Sequence, residues 1–236
     1  MDVMERARAA EAAGRRIIHM EVGQPGTPAP AGALAALRRA LDGPLGYTVS
    51  LGLPELRAGI AGLYRRWYGV DLDPARVVVT TGSSSAFILA FTALFDAGER
   101  VALGEPGYPS YRQILRALSL QPVGVPARME NRLQPVVEDL EGLDVAGLIV
   151  ASPGNPTGTQ LDRAALARLV AWAEARGAAL VSDEIYHGLH YGDRAVSALE
   201  ITDRAWVINS FSKYFSMTGW RIGWMVVPED QVRRVE

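Results

Sequence analysis

The stretch RVVVTTGSSSAFILAFTALFDAGERVALG, Arg76 to Gly104, contains the pattern that the rest of the chain repeats. RVVVTT (76–81) is a short run rich in β-branched residues, and RVALG (100–104) is a second apolar run. Between them, about 84–96, lies a stretch that reads as an amphipathic helix. A strand, a crossover helix and another strand form the βαβ unit from which parallel sheets are built. Similar runs follow at PVGVP (122–126), AGLIVAS (146–152), AALVSD (178–183), AWVINS (205–210) and RIGWMVV (221–227). They are continuous rather than alternating, the pattern of parallel strands buried on both faces. Further helical stretches at about 53–68, 108–119 and 161–176 supply the covering layers. The expected fold is therefore α/β, a mostly parallel seven-stranded sheet with helices on both faces, spanning 44–236. Residues 1–43 carry helical patterns at about 2–13 and 31–41 around the loop GQPGTPAP (23–30). They are expected to form an N-terminal arm and part of a small domain. PEDQVRRVE (228–236) reads as the opening of a further helix.

Composition narrows the function classes. A chain of 236 residues with 49% hydrophobic and 21% charged residues can bury a sizeable core. A formal charge of −2 offers no basic face for nucleic acid. Zero cysteines exclude disulfides, thiolate catalysis and cysteine-ligated metals, and agree with a cytoplasmic protein. The opening residues lack the apolar core of a signal peptide, and no run approaches the roughly 20 apolar residues of a membrane span.

In an open parallel sheet, ligands bind beyond the carboxyl ends of the strands, and the polar motifs of this chain collect there. GSSSA (82–86) follows the first strand and opens a helix, a natural phosphate cradle. SPGNPTGT (152–159) is a rigid turn holding Asn155. DEIYHG (183–188) places Asp183 at a strand tip with Tyr186 three residues on. Lys213 follows the sixth strand beside Ser210 and Ser212, with Arg221 eight residues later. Each motif alone reads as a cap, a turn or a surface charge. Together they describe one site with an anion cradle, a carboxylate, fixed hydrogen-bond donors and an amine.

The amine is the informative part. Lys213 is the only lysine; the other 23 of the 24 basic residues are arginine. Arginine cannot lose its proton or form an imine, whereas a lysine amine does both. Attack on an aldehyde at neutral pH requires its pKa to fall from about 10.4 toward 7, a cost of about 4–5 kcal/mol. Desolvation and the Arg221 cation both act in that direction. A Schiff base, a phosphate cradle and a carboxylate together suggest pyridoxal phosphate.

SPGNPTGT, DEIYHG and SFSKYFSMTGWRIGW (210–224) resemble the fold-type-I pyridoxal-phosphate aminotransferases of class I/II, the aspartate-aminotransferase-like group. GYTVSLGLPELRAGIAGLYRRWYGV (46–70), VVVTTGSSSAF (77–87) and EPGYPSY (105–111) match the same family in order, so the likeness covers nearly the whole chain. The resemblance implies that Lys213 holds the cofactor as a Schiff base and then moves the substrate proton. It implies that Asp183 pairs with the pyridine nitrogen, and that Tyr186 and Asn155 bond the 3-oxygen and hold down the imine pKa. Tyr108 would stack on the ring. Gly82, Ser83, Ser84, Ser210, Ser212 and Arg221 would hold the phosphate. Tyr47 would reach a phosphate in the neighbouring subunit of a homodimer. Gly23, in a loop that closes over the substrate carboxylate, and Asn155 would meet the amino-acid or 2-oxo-acid substrate. The family also carries a C-terminal small domain with an arginine for that carboxylate. It has no counterpart in these residues, which are therefore expected to be a truncated member in which efficient transamination is not expected.

Other readings share parts of this pattern. SFSK (210–213) matches the S-x-x-K of serine acyl-enzymes, but the K-T-G that must follow cannot occur in a chain with one lysine. Asp183, Glu184, His187 and His190 could be read as a metal site, against the plainer reading of histidines at the rim of a cofactor pocket. Neither G-x-G-x-x-G nor a P-loop occurs. The same fold and lysine also serve β-eliminating C–S lyases, and transcription regulators that only sense the cofactor.

Overall fold

The computed structural model describes residues 2–236. All seven expected runs are strands: β1 (Val77–Thr80), β2 (Arg100–Glu105), β3 (Gln121–Pro126), β4 (Gly147–Ala151), β5 (Ala179–Asp183), β6 (Trp206–Ser210) and β7 (Gly223–Val226). They form one sheet in the order β1-β7-β6-β5-β4-β2-β3. Helices α1 (Asp2–Ala12) and α2 (Ala31–Ala40) precede the sheet. The covering helices are α3 (Pro54–Tyr68), α4 (Ser83–Leu94), α5 (Pro109–Ala117) and α6 (Arg163–Arg176), and α7 (Val232–Val235) follows β7. Helix boundaries obey local chemistry. Asp162 caps α6 by accepting from the Ala165 amide at 2.8 Å, and Gly177 ends it at φ 65.

Successive strand residues point to opposite faces, and each face has its own core. On one side Val77, Leu148, Val150, Val207 and Trp224 pack beneath Ile60 and Tyr64 of α3 and Leu166 and Leu169 of α6. On the other, Val78, Ile149, Val181, Ile208 and Met225 pack beneath Phe87 and Phe91 of α4 and Leu115 of α5. By contrast, α1 and α2 contain no buried residue, and 41–50 are exposed throughout.

Two expectations are corrected. β7 was expected to run parallel, yet it pairs antiparallel with both β1 and β6. The segment from 211 to 222 holds no α-helix, and the Phe211 amide donates to the Ile222 carbonyl at 3.1 Å. The chain therefore turns straight back beside β6, whereas a parallel neighbour requires a crossover. β3 was expected to be buried, but it is an edge strand in which only Val125 is fully covered. Pro122 and Pro126, which cannot donate to a ladder, fit that edge.

The reversed β7 has a functional consequence. β1, β4, β5 and β6 end on one side of the sheet, and β7 begins there, delivering Arg221 to the same place. Entry into β7 is tight: a Cβ on Gly223 would lie 2.7 Å from the Gly82 carbonyl carbon and from the Ser83 nitrogen. Both are backbone atoms that cannot swing aside. Gly223→Ala should therefore destabilise the chain by about 2 kcal/mol, roughly 4–8 °C in Tm by thermal melting. An unchanged Tm would show that the strand and the helix start can separate freely.

Candidate active site

Lys213 lies in the turn after β6. Its side chain is half-buried, with Nζ donating to the Gly23 carbonyl at 3.1 Å and lying 5.8 Å from the centre of the Tyr186 ring. Its pKa falls below the ordinary lysine range because burial penalises the ammonium and the Arg221 guanidinium repels it. A second contact, Thr27 Oγ1 to Ser216 Oγ at 2.7 Å, also fastens the 23–27 loop over this turn.

Asp183 ends β5 and is 4% exposed. Burial pushes its carboxyl up to about 6, opposed by two donors. The Ile185 amide donates to Oδ1 at 3.0 Å and the Tyr111 hydroxyl donates to Oδ2. Tyr186, in the same turn, accepts from Asn155 Nδ2 at 3.2 Å. The buried Gln134 amide donates to the Ala151 carbonyl at 3.2 Å and the Thr159 carbonyl at 2.8 Å, clamping the 152–159 turn that carries Asn155.

The third component surrounds the start of α4. Gly82 is its N-cap at φ 87, a conformation that favours glycine, and no side chain caps the first turn. The leading amides of Ser83 and Ser84 are thus left for solvent or an anion. A Cβ on Gly82 would overlap the Arg221 guanidinium, so the arginine lies directly against the helix start. Arg221 Nη1 also donates to the Thr218 carbonyl at 2.8 Å, and its backbone is left-handed at φ 56. Ser210 is buried at the tip of β6, accepting from the Ser212 amide at 3.1 Å, and Ser212 is buried beside it.

The structure thus brings Lys213, Asp183, Tyr186, Asn155, Gly82, Ser83, Ser84, Ser210, Ser212, Arg221 and Gly23 to one side of the sheet. Tyr108, the N-cap of α5, lies at that opening with its ring 5.4 Å from Tyr111, edge to face. Tyr47 is fully exposed and touches none of these residues. His187 is not at a rim: it is 2% exposed and lies behind the site. Among the described residues no group of three or more His, Asp or Glu side chains is placed to hold a metal ion. Sequence reasoning missed Tyr111 and Gln134. Neither carries a local signal: Tyr111 is buried, whereas Tyr108 three residues earlier is an exposed, non-helical N-cap, so spacing alone does not tie them together.

The donor set fits pyridoxal phosphate on the structure's own terms. A half-buried amine suits the aldehyde, a buried carboxylate suits a ring cation, a tyrosine–amide pair suits the ring oxygen, and an uncapped helix start beside a guanidinium suits the phosphate.

Tyr111 supplies one of two offsets to the burial of the Asp183 charge. Removing its hydroxyl in Tyr111→Phe should raise the Asp183 pKa above about 6 by roughly one unit, the worth of one bond to a charged acceptor. The carboxyl carbon shift followed against pH in the cofactor-free protein measures it. An unmoved midpoint would show that the hydroxyl does not stabilise the charge.

Comparison with known proteins agrees with this geometry. The family described as aminotransferase class I and II matches residues 15–236. A valine–pyruvate aminotransferase of Mycobacterium tuberculosis is 45% identical over the whole chain, which covers 62% of that protein. A Silicibacter pomeroyi protein of known crystal structure is 68% identical at a TM-score of 0.92, with 100% of this chain and 61% of that one covered. A crystal structure of an aminotransferase from Mycobacterium tuberculosis superposes at a TM-score of 0.96 and 45% identity, covering 100% of this chain and 62% of that one. The chain thus spans about three fifths of the length of these relatives. Members of the family depend on pyridoxal phosphate. With its sheet, its strand-end motifs and this match in agreement, the chain belongs to the class I and II aminotransferases.

Proposed function

We propose that the chain is the cofactor-binding part, residues 44–236, of a cytoplasmic aminotransferase, together with the arm at 1–43 that reaches over its site. It moves an amino group between an L-amino acid and a 2-oxo acid, with pyridoxal phosphate attached at Lys213. The observation that carries this reading is the setting of the only lysine. Its amine is half-buried, its pKa is lowered by burial and Arg221, and it faces the Tyr186 ring. Relatives named for valine, pyruvate and aspartate support small amino and oxo acids as the substrate class.

Pyridoxal phosphate supplies the electron sink that makes an amino-acid α-proton removable. This chain's residues do the rest. Ser83, Ser84, Ser210 and Arg221 would hold the phosphate, and Tyr108 would lie against the ring. Asp183, whose charge Tyr111 and the Ile185 amide support, would favour a proton on the ring nitrogen. Asn155 and Tyr186 hold the ring oxygen. Lys213, whose amine is half-buried and of lowered basicity, would be the base that holds and moves the α-proton. Gly23, already against the lysine, belongs to the loop that meets the substrate carboxylate.

The partner is a second copy of the chain. Ile18, Met20, Leu45, Tyr47 and Val49 are apolar or aromatic and more than half exposed, an arrangement that a homodimer interface would cover. Sedimentation should give twice the 25.5 kDa of one chain, and a purely monomeric species would overturn the pairing.

Addition of pyridoxal phosphate should produce visible absorbance that borohydride traps on Lys213 and that Lys213→Ala abolishes. Persistence of the adduct in that variant would refute the assignment. Amino transfer to a 2-oxo acid supports the aminotransferase reading, whereas pyruvate and ammonia released from a β-substituted amino acid would replace it with a lyase.

A further inference from the structure

His187 is buried four residues beyond Asp183. Its Nε2 lies 2.8 Å from the Ser152 carbonyl oxygen, and its Nδ1 lies 2.6 Å from the Tyr68 hydroxyl. A carbonyl can only accept, so Nε2 carries the proton. Nδ1 of the neutral ring must then accept, and Tyr68 donates. Burial holds the imidazole down to about 4, so the neutral form prevails around pH 7. Glu184, also buried, lies 3.6 Å from Nδ1, and burial pushes its carboxyl up to about 8. Its Oε1 is bonded by Ser182, Ser197 and the Ala198 amide, while Oε2, the oxygen nearest the ring, has no hydrogen-bond partner among the described residues. Arg194 lies over the Tyr68 ring at 5.4 Å and is paired with Glu200. The surroundings thus select one protonation state and one ring orientation.

What His187 joins is informative. Ser152 begins the turn that carries Asn155, and His187 belongs to the turn that carries Tyr186. Ser152 is itself anchored, its amide donating to the Asp183 carbonyl at 3.2 Å and its Oγ accepting from the Leu161 amide at 2.9 Å. The His187–Ser152 bond therefore fixes the two turns at their base, while Asn155 and Tyr186 meet at their tips. A hydrogen bond weakens steeply with distance and angle, so play at the base becomes misalignment at the tips.

We propose that His187, oriented by Tyr68, is a positioning residue that sets the geometry of the Asn155–Tyr186 pair and thereby the proton affinity of the lysine–cofactor adduct. This rests on the function proposed above, in which the pair bonds the ring oxygen. Donors on that oxygen favour its anion, which lowers the need for a proton on the adjacent nitrogen. Loosened donors raise the pKa of the adduct.

The test is the visible spectrum of the cofactor-loaded protein titrated with pH. His187→Leu should raise the spectral midpoint by about one unit, a tenfold gain in proton affinity. Tyr68→Phe, which keeps the ring but frees the tautomer, should shift it the same way by less. His187→Gln, whose amide retains a donor for Ser152, should return it toward the original value. Leu169→Ala in the α6 core is the control: it should lower Tm and leave the midpoint in place. A folded, loaded His187→Leu with an unmoved midpoint overturns the proposal, as does an equal shift in Leu169→Ala. Should His187→Leu fail to fold, an unmoved midpoint in Tyr68→Phe overturns it. Failure of the unaltered protein to form any adduct overturns the functional reading and this inference with it. An adduct that forms with midpoints unmoved overturns the positioning role alone.

Discussion

The site depends on how closely the start of β7 approaches the start of α4. Gly223 has no side chain and lies against the backbone of Gly82 and Ser83, while Gly82 leaves room for the Arg221 guanidinium. That contact brings a fixed cation to the positive end of a helix, an arrangement that is repulsive unless an anion sits between them. The cation also acts on Lys213, whose amine it helps to discharge. One backbone contact therefore shapes both the anion cradle and the nucleophile. It exists only because β7 returns antiparallel beside β6.

The charges form a balanced set when the cofactor is considered with the protein. Asp183 is buried at a cost that two donors only partly offset, and its carboxyl is pushed up to about 6. Such a group is poorly satisfied until a cation lies against it, and a protonated pyridine provides one. The cofactor's phosphate would do the same for Arg221. On the proposed function, binding energy and chemical activation would come from the same unmet charges.

Much of this was legible before the fold was seen, because strand-end motifs combine a buried apolar run, readable from composition, with turn chemistry, readable from residue type. The tips of β1, β4, β5 and β6 carry Gly82, Asn155, Asp183 and Lys213 at the places their local patterns indicate. The direction of β7 was not legible, since RIGWMVV reads alike in either sense and the answer lies in a helix-free connection. β3 looked like a core strand because its apolar residues say nothing about how many neighbours it has. The second layer was the least visible. Tyr111, Gln134, Tyr68 and His187 act through partners 17 to 119 residues away in sequence, and no local spacing encodes such pairings.

The isolation of Lys213 has a practical side as well. Because every other basic side chain is a guanidinium or an imidazole, amine-selective reagents meet a single side-chain target in this polypeptide, apart from the α-amino group. Its partial burial and lowered basicity leave that target uncharged more often than a surface lysine would be. A fluorophore, crosslinker or affinity tether could therefore be installed at the reactive centre without prior mutagenesis, and its attachment would report directly on whether the pocket is open.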